Sequence, residues 1–301
     1  MSFGEWFSYL AAAFGGGLVV KFLDIVYQEF RRRSDQSQSA RRLVNQNLGP
    51  VLKAADELVG KLRSLADSDF KSLRNVDPKA DRIENHDFSS LLFLLAKLWA
   101  NIEMFRREGL SISVVGDARG RRFQSFMDCI ESRRVRIVDR ISQRAVAELM
   151  LNSDDGSRET CSFIEFVRRI ETDPEAQRWV EPVIHVLSRT LHTSVRQRLL
   201  QYGAVIHAMI DTLDPDHQVT RSRPSYPNKL SKRSRQGLKY RVFGVYLKFI
   251  PEPEKYLGPP KGSPKQRNRR REGTLAPLQE RHIRCAAFIR LMRHFASRNQ
   301  R

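Results

Sequence analysis

The chain has 301 residues, of which 41% are hydrophobic and 29% are charged, and its formal net charge at pH 7 is +19. This hydrophobic content excludes a chain that is disordered throughout, and the length suffices for one sizeable core or for two domains. The charge is unevenly spread: residues 218–301 hold 22 lysines and arginines against four glutamates and no aspartate, a net +18, which leaves +1 for residues 1–217. The sequence therefore predicts a near-neutral body followed by a basic tail that favours phosphate-rich surfaces.

The N-terminal segment from Trp6 to Tyr27 is mostly apolar and 22 residues long, enough for a helix to cross the hydrocarbon layer of a bilayer. Lys21 interrupts the apolar run, but its long side chain can reach the lipid headgroups. Trp6 and Tyr27 lie where aromatic side chains meet the membrane interface. The pattern predicts a single transmembrane helix.

Basic residues directly follow this segment, and the positive-inside rule then places the rest of the chain in the cytoplasm. Two alternatives fit the same pattern, an amphipathic helix lying in the membrane interface and a buried core helix or signal sequence. Small residues recur four positions apart between Ala11 and Gly17, which is typical of helices that pair closely, so a homodimer through the anchor is a further prediction. The predicted anchor of residues 1–33 closes with Arg31, Arg32 and Arg33.

Residues 34–217 have the apolar periodicity of helices and predict a helical cytoplasmic domain, an irregular bundle without repeats. Pro50 suits the first turn of a new helix, because a proline there loses no hydrogen bond. The segment 88–108 is so apolar that we place it in the middle of the core, with a second membrane span as the alternative. The fold class that follows is all-α.

Shorter elements are predicted after this central helix. Residues 110–115 alternate like a short strand. Two apolar helical faces follow, at 123–130 and 137–150, the second including Ile141 and Ala145, with a kink near Arg133 between them. The remaining predicted helices are 161–171, one capped by Asp173 before Pro174 with a kink at Pro182, and one from about Ser194 to Leu213.

The order of these segments resembles a group of uncharacterised bacterial proteins with one N-terminal membrane helix and an all-helical cytoplasmic domain. The resemblance is carried by PVLKAADELVGKL, LLFLLAKLWANIEMFRRE, ISQRAVAELM, CSFIEFVRRI and IDTLDPD, and it covers about two-thirds of the chain. It implies a single-pass protein of the cell inner membrane. No activity is assigned to the group, so no catalytic residue can be transferred, and this chain departs from it after His217.

The tail, residues 218–301, is expected to be partly disordered. Residues 239–250 combine basic and aromatic side chains and predict a short hairpin or strand, and residues 278–298 predict an amphipathic basic helix. This helix could dock on the body, lie on anionic lipid or contact nucleic acid. The residues expected to contact phosphate or lipid are Lys232, Arg233, Arg235, Arg269, Arg270 and Arg271.

Motifs that carry chemistry are missing from the sequence. It has no HExxH, no phosphate-binding glycine loop and no GxSxG elbow, so no cofactor, metal or catalytic residue is predicted. The three widely spaced cysteines favour reduced thiols. The function predicted from the sequence is a membrane-anchored, non-enzymatic protein that presents an interaction surface to an unknown protein partner. The alternatives are a nucleic-acid-binding protein that uses the tail, with Tyr240, Phe243, Tyr246 and Phe249 as stacking residues, and an enzyme or effector with an unfamiliar helical site.

Overall fold

The computed structural model of the protein describes residues 3–74, 76, 84–109, 117–151, 160–223 and 229–258. The chain divides into two compact units, Met1–Gly258 and Pro259–Arg301, and the second lies outside the described residues. The predicted strand at 110–115 and the amphipathic helix at 278–298 also lie outside them.

Helices dominate the described ranges, where β pairing is confined to one isolated bridge between Leu151 and Thr160. This confirms the all-α class. Short 3-10 and π-helical segments occupy Lys71–Leu73 and Gly237–Phe243. The α-helices are α1 Phe3–Asp67, α2 His86–Gly109, α3 Ala118–Glu131, α4 Arg140–Leu149, α5 Phe163–Thr172, α6 Pro174–Ser188, α7 Thr193–Leu213, α8 Lys232–Gln236, α9 Gly244–Tyr246 and α10 Glu254–Leu257.

Helix α2 lies in the core, as its composition predicts, and packs against α1, α4, α5 and α6. Its apolar side chains, such as Phe88 and Leu95, are fully buried. Within the described part of the chain, His86–Arg107 is the stretch long and apolar enough to cross a membrane, with a mean hydropathy of 1.3, and 72% of it is buried inside the fold. Helix α7 packs against α1 and α3 on the other side of the core.

The start of a new helix at Pro50 is a wrong prediction, because α1 is one continuous helix of 65 residues with Pro50 in its interior. A proline inside a helix leaves the carbonyl of the residue four positions earlier without its donor. Here both Pro50 and Gln46 are exposed, so water can satisfy that carbonyl. The predicted membrane segment and the first core segment therefore belong to the same helix.

Local capping signals in the middle of the chain are confirmed. The Asp173 carboxylate accepts a hydrogen bond from the Glu175 amide and opens α6 with Pro174 in its first turn, while Pro182 lies inside the helix. Asp139 caps α4 in the same way, which explains why α3 and α4 are two separate helices rather than one kinked helix. These caps satisfy amide groups that a helix start leaves unpaired.

The predicted hairpin at 239–250 is wrong, since this segment is the π-helix followed by α9. Its buried residues are Leu238, Val242, Phe243, Leu247 and Ile250. Successive members of this set are four, one, four and three positions apart, which fits one side of a helix and not every second position of a strand. Burial of this side against α3, α8 and α10 therefore decides the conformation.

Candidate functional site

A wide groove lies between the N-terminal half of α7 and the segment formed by α8 and the π-helix. Its volume is about 960 Å³, at the upper end of the range for ligand pockets. Among the described residues that line it there is no aspartate or glutamate. The lining residues are Arg134, Thr193, Ser194, Gln197, Arg198, Gln201, Ser231, Arg233, Ser234, Gln236, Gly237, Tyr240, Arg241 and Val242.

Two glutamines one turn apart on α7 hold the two walls together. Gln197 donates to the Lys229 carbonyl at 2.9 Å and accepts from the Ser231 amide at 2.7 Å. Gln201 donates to the Ser234 carbonyl at 3.4 Å. Ser231 in turn caps α8 by accepting from the Ser234 amide at 3.2 Å. The side-chain amides thereby fix where α8 begins relative to α7.

Four exposed arginines reach the groove: Arg134, Arg198, Arg233 and Arg241. None of them forms an ion pair with a residue that the structure describes. Three arginines on another part of the body differ: Arg106 and Arg140 are bonded to Glu131, and Arg144 lies 3.6 Å from the same carboxylate. The groove therefore has positive charge that no carboxylate among its described lining residues compensates.

Tyr240 is the aromatic side chain that the groove presents to solvent. It lies in the π-helix, its side chain is 66% exposed, and the Lys239 ammonium is 5.6 Å from its ring centroid. Of the other aromatic residues predicted to stack on bases, Phe243 is buried against Tyr256, and Phe249 packs edge-on against Phe126. Tyr246 is half-buried and does not line the groove. One aromatic face is thus available for a ligand.

The chain that leads into the groove is fixed to α1 by one ion pair. The Arg223 Nε donates to Asp56 Oδ1 at 2.7 Å, and its Nη2 also donates to the Asp56 carbonyl at 3.2 Å. Gly60 makes room for this guanidinium, since a Cβ atom there would lie 3.0 Å from Arg223 Nη2. Both charged side chains are largely shielded from solvent. This pair holds residues after α7 against the N-terminal helix.

A second polar cluster, around Asp211, fixes α10, which follows the π-helix and α9, to α7. Asp211 accepts from Lys255 Nζ at 2.6 Å and from the Tyr256 hydroxyl at 3.1 Å. His207, one turn earlier on α7, is buried with its ring edge-on to Tyr256 and has no hydrogen-bond partner among the described residues. Burial lowers the pKa of His207, because the charged ring would lose its hydration, although the Asp211 carboxylate opposes this.

Asp214 organises the turn between the end of α7 and Arg223. Its carboxylate accepts hydrogen bonds from the amides of Gln218, Val219 and Thr220 and from the Thr220 hydroxyl. Burial alone would raise the pKa of Asp214, but these four donors lower it overall. The turn also places His217 in the left-handed region, with φ of 51°.

The structure brings together only part of the predicted site. Arg233 lines the groove, Lys232 is exposed beside it and Arg235 is half-buried. Arg269, Arg270 and Arg271 lie outside the described residues. Of the predicted membrane-anchor residues, Lys21, Tyr27, Arg31 and Arg32 are exposed on α1, whereas the side chains of Trp6 and Arg33 lie outside the described set. The membrane role of this stretch stays a prediction.

Sequence reasoning missed Arg134, Arg198 and Arg241 as members of one site. They come from the α3–α4 connection, from α7 and from the π-helix. The available signal was that no acidic residue occurs between Gln218 and Ile250, so the arginines of that stretch lack carboxylates nearby in sequence.

The cysteines that the structure describes do not offer a reactive thiolate. Burial raises the pKa of Cys129 to about 12, and burial also raises the pKa of Cys161. Both thiols therefore remain protonated near neutral pH. The described residues also contain no group of three histidine, cysteine, aspartate or glutamate side chains that could hold a metal ion.

The arrangement suits binding of an anionic ligand through guanidinium groups and one aromatic face. Guanidinium groups form paired hydrogen bonds to phosphate oxygens, and an exposed tyrosine ring provides a stacking surface. Comparison of the chain with protein-family models, with curated proteins and with solved structures finds no match.

Proposed function

We propose that the protein is a membrane-anchored helical protein that binds single-stranded nucleic acid in the groove between α7 and α8. One observation carries this proposal: four exposed arginines meet at a groove whose described lining residues include no carboxylate. A ligand that enters this groove must bring negative charge at several points, as a phosphate backbone does. The proposed role is binding, on the cytoplasmic side of the membrane.

The shape of the groove favours a strand over a bilayer surface. A lipid headgroup plane is flat and contacts projecting residues, whereas the arginines here line a concave surface. Proteins that bind single strands combine a positively charged groove with aromatic side chains on which bases stack. Tyr240 supplies that element, and a duplex, whose bases are already stacked, cannot use it.

The proposed anchor is the N-terminal part of α1. Ile25, Val26 and Tyr27 are exposed, and the first buried residue among the described side chains of α1 is Val44, 17 positions after Tyr27 and about 26 Å further along the helix. Exposed apolar residues on a helix that continues into the core support a membrane contact there. In the proposed topology the protein is a single-pass protein of the inner membrane, paired through the small residues from Ala11 to Gly17.

Binding of labelled oligonucleotides tests the proposed ligand. The full chain in neutral-lipid nanodiscs should bind a single strand of about 12 nucleotides more tightly than a duplex of the same sequence. The logarithm of the affinity should fall linearly with the logarithm of salt concentration, because bound phosphates release counterions. Equal binding of strand and duplex, or binding of neither, would contradict the proposal, and preferential binding to anionic vesicles would assign the groove to lipid.

Alkaline carbonate extraction of membranes tests the anchor separately. The full chain should remain in the membrane pellet, and a variant lacking residues 1–33 should be released. Release of the full chain in a folded state would exclude a spanning helix. The oligonucleotide result does not depend on this outcome, so the two parts of the proposal can fail independently.

A further inference from the structure

The groove between α7 and α8, lined by Arg134, Arg198, Arg233 and Arg241, is called the basic groove below. A second groove, between α4 and α6, has a different chemistry. Its volume is about 650 Å³. Ile141, Ala145 and Leu149 line it from α4 at intervals of four residues, and Trp179 lines it from α6. Ile141 is 70% exposed. Side chains at this spacing form a continuous apolar stripe along the helix.

The outer edge of this stripe, at Ile141, has no partner within the described fold. The sequence pattern of α4 predicts that Ile141 and Ala145 face the core together with Val146 and Met150. In the structure Val146 and Met150 are buried, while Ile141 is exposed and Ala145 half-buried. The apolar face of α4 is therefore wider than its contact with α2 and α6, and its outer edge opens into the groove.

The rim of this groove is acidic. Glu148, Asp173 and Glu175 line it, against one arginine, Arg144, and Glu148 is paired with Arg107 at 2.8 Å. Arg144 lies 3.6 Å from Glu131, so its charge is already partly compensated. Glu175 is exposed and forms no ion pair with any residue that the structure describes. On a chain with a net charge of +19, this surface carries local negative charge beside apolar side chains.

We propose that the groove between α4 and α6 docks an amphipathic basic helix of a partner protein. A helix that lies in a groove inserts apolar residues from one face, spaced three and four positions apart, which matches the stripe of α4 and the Trp179 indole. Lysines and arginines flanking that face would meet Asp173 and Glu175 at the rim. An acidic ligand such as nucleic acid is repelled here, so the two grooves take different partners.

A synthetic peptide tests this proposal on the full chain in neutral-lipid nanodiscs. The probe is a helix of about 18 residues with leucines on one face and lysines elsewhere, and empty nanodiscs provide the blank. Two control peptides accompany it, one with the same composition but leucines spread around the helix, and one with glutamates in place of the lysines. The probe should bind, and both controls should bind more weakly by about tenfold or more.

Two substitutions locate the bound peptide. Ile141→Asp and Glu175→Lys should each weaken binding of the probe by about tenfold, because one removes an apolar contact and the other reverses the rim charge. Ile164→Asp is the matched control, since Ile164 is also 70% exposed but lies on α5 outside the groove. Unchanged circular dichroism and thermal unfolding show that each variant is folded.

The outcomes separate clearly. Loss of binding in the two groove variants and normal binding in the Ile164→Asp variant would confirm the site. Equal effects of Ile141→Asp and Ile164→Asp would overturn it, as would equal binding of the glutamate peptide or failure of the probe to bind.

Discussion

The two grooves of this protein differ in the sign of their charge, although they are on the same helical body. The groove between α7 and α8 has four arginines and no carboxylate among its described lining residues, whereas the groove between α4 and α6 has three carboxylates and one arginine. Two of the four arginines in the basic groove, Arg233 and Arg241, come from the region after Gln218 that carries almost all of the net charge. The comparison teaches that the arrangement of unpaired charges, more than net charge, selects a partner for each surface.

Paired arginines on the same body make this contrast sharper. Arg106 bridges Glu103 and Glu131, and Arg107 contacts Glu148 at 2.8 Å. These ion pairs join α2, α3 and α4. Because the charges of the two partners compensate each other, they attract a distant ligand only weakly. The arginines of the basic groove form no ion pair with any described residue. Replacing them should therefore affect binding more than folding.

The largest expected effect comes from removing charge in the basic groove. In the variant Arg198→Gln, Arg233→Gln, Arg241→Gln, we expect affinity for a single-stranded oligonucleotide to fall by about 100-fold or more at low salt. Each lost phosphate contact should also reduce the slope of log affinity against log salt by about 0.7, so three should reduce it by about 2. Fluorescence anisotropy across a salt series measures both quantities.

The matched control for this variant removes the same charge elsewhere. Arg168 and Arg178 are exposed on α5 and α6, and Arg189 is exposed after α6. The triple glutamine variant at these positions should retain both the affinity and the salt slope of the original chain. Equal losses in the two triple variants would show that only net charge matters, contrary to the comparison of the grooves.

The second prediction concerns stability of the segment that forms one wall of the basic groove. Asp56→Asn should lower the free energy of unfolding by about 2 kcal/mol, because Arg223 is left shielded from solvent without its carboxylate. Urea unfolding measures this change. Asp216→Asn, at an exposed position in the turn after α7, is the control and should change the free energy by less than about 0.5 kcal/mol.

The third prediction separates stacking from charge in the basic groove. Tyr240→Ala should weaken binding of single strands by about tenfold and leave the salt slope unchanged, since a base stacked on an aromatic ring contributes about 1–3 kcal/mol. Val245→Ala, also exposed in this segment but outside the groove, should leave the affinity unchanged. A change of salt slope in the Tyr240→Ala variant would mean that the ring positions the arginines.

The smallest effect is expected from pH, and it acts through His207, which is buried on α7 against Tyr256 of α10. Asp211, Lys255, Arg63 and Arg223 are the charged groups that act on this ring. Because the pKa of His207 is lowered in the folded state, the unfolded chain binds its proton more readily below the ordinary value of 6.5. The contribution to stability is therefore complete above that value and is lost as pH falls through the folded pKa.

Urea unfolding over a range of pH values tests this expectation. The His207→Phe variant should lose part of the decrease in stability between about pH 7 and pH 5, because phenylalanine keeps the edge-on contact with Tyr256 but does not titrate. The exposed residue His185, replaced by glutamine, should keep the full decrease. Identical pH profiles for the original chain and the His207→Phe variant would contradict the assignment.

Sequence patterns predicted the elements whose signals are local. The cap at Asp173 and the apolar run of α2 each determine a helix within a few residues, and the structure confirms both. The hairpin prediction at 239–250 rested on the basic and aromatic residues of the segment and was wrong, because the burial of Leu238, Val242 and Leu247 decides its conformation. Contacts between distant segments overrode the local pattern.

The two grooves could not be predicted, because each is formed by residues far apart in sequence. Arg134 and Arg241 meet at one groove only after α7 has packed against the core, and Ile141 and Trp179 meet at the other only because α4 packs against α6. The periodicity of α4 shows that one face is apolar, but it does not show how much of that face the neighbouring helices cover.

Photocrosslinking of a single strand containing 4-thiouridine to the full chain, followed by mass spectrometry of the adducts, tests the central claim most directly. Because the proposed nucleic-acid site is the basic groove, we predict adducts at Tyr240 and its neighbours in the π-helix, lost in the variant with three arginines replaced. Adducts confined to residues 259–301, unchanged in that variant, would contradict the assignment of the basic groove as the nucleic-acid site.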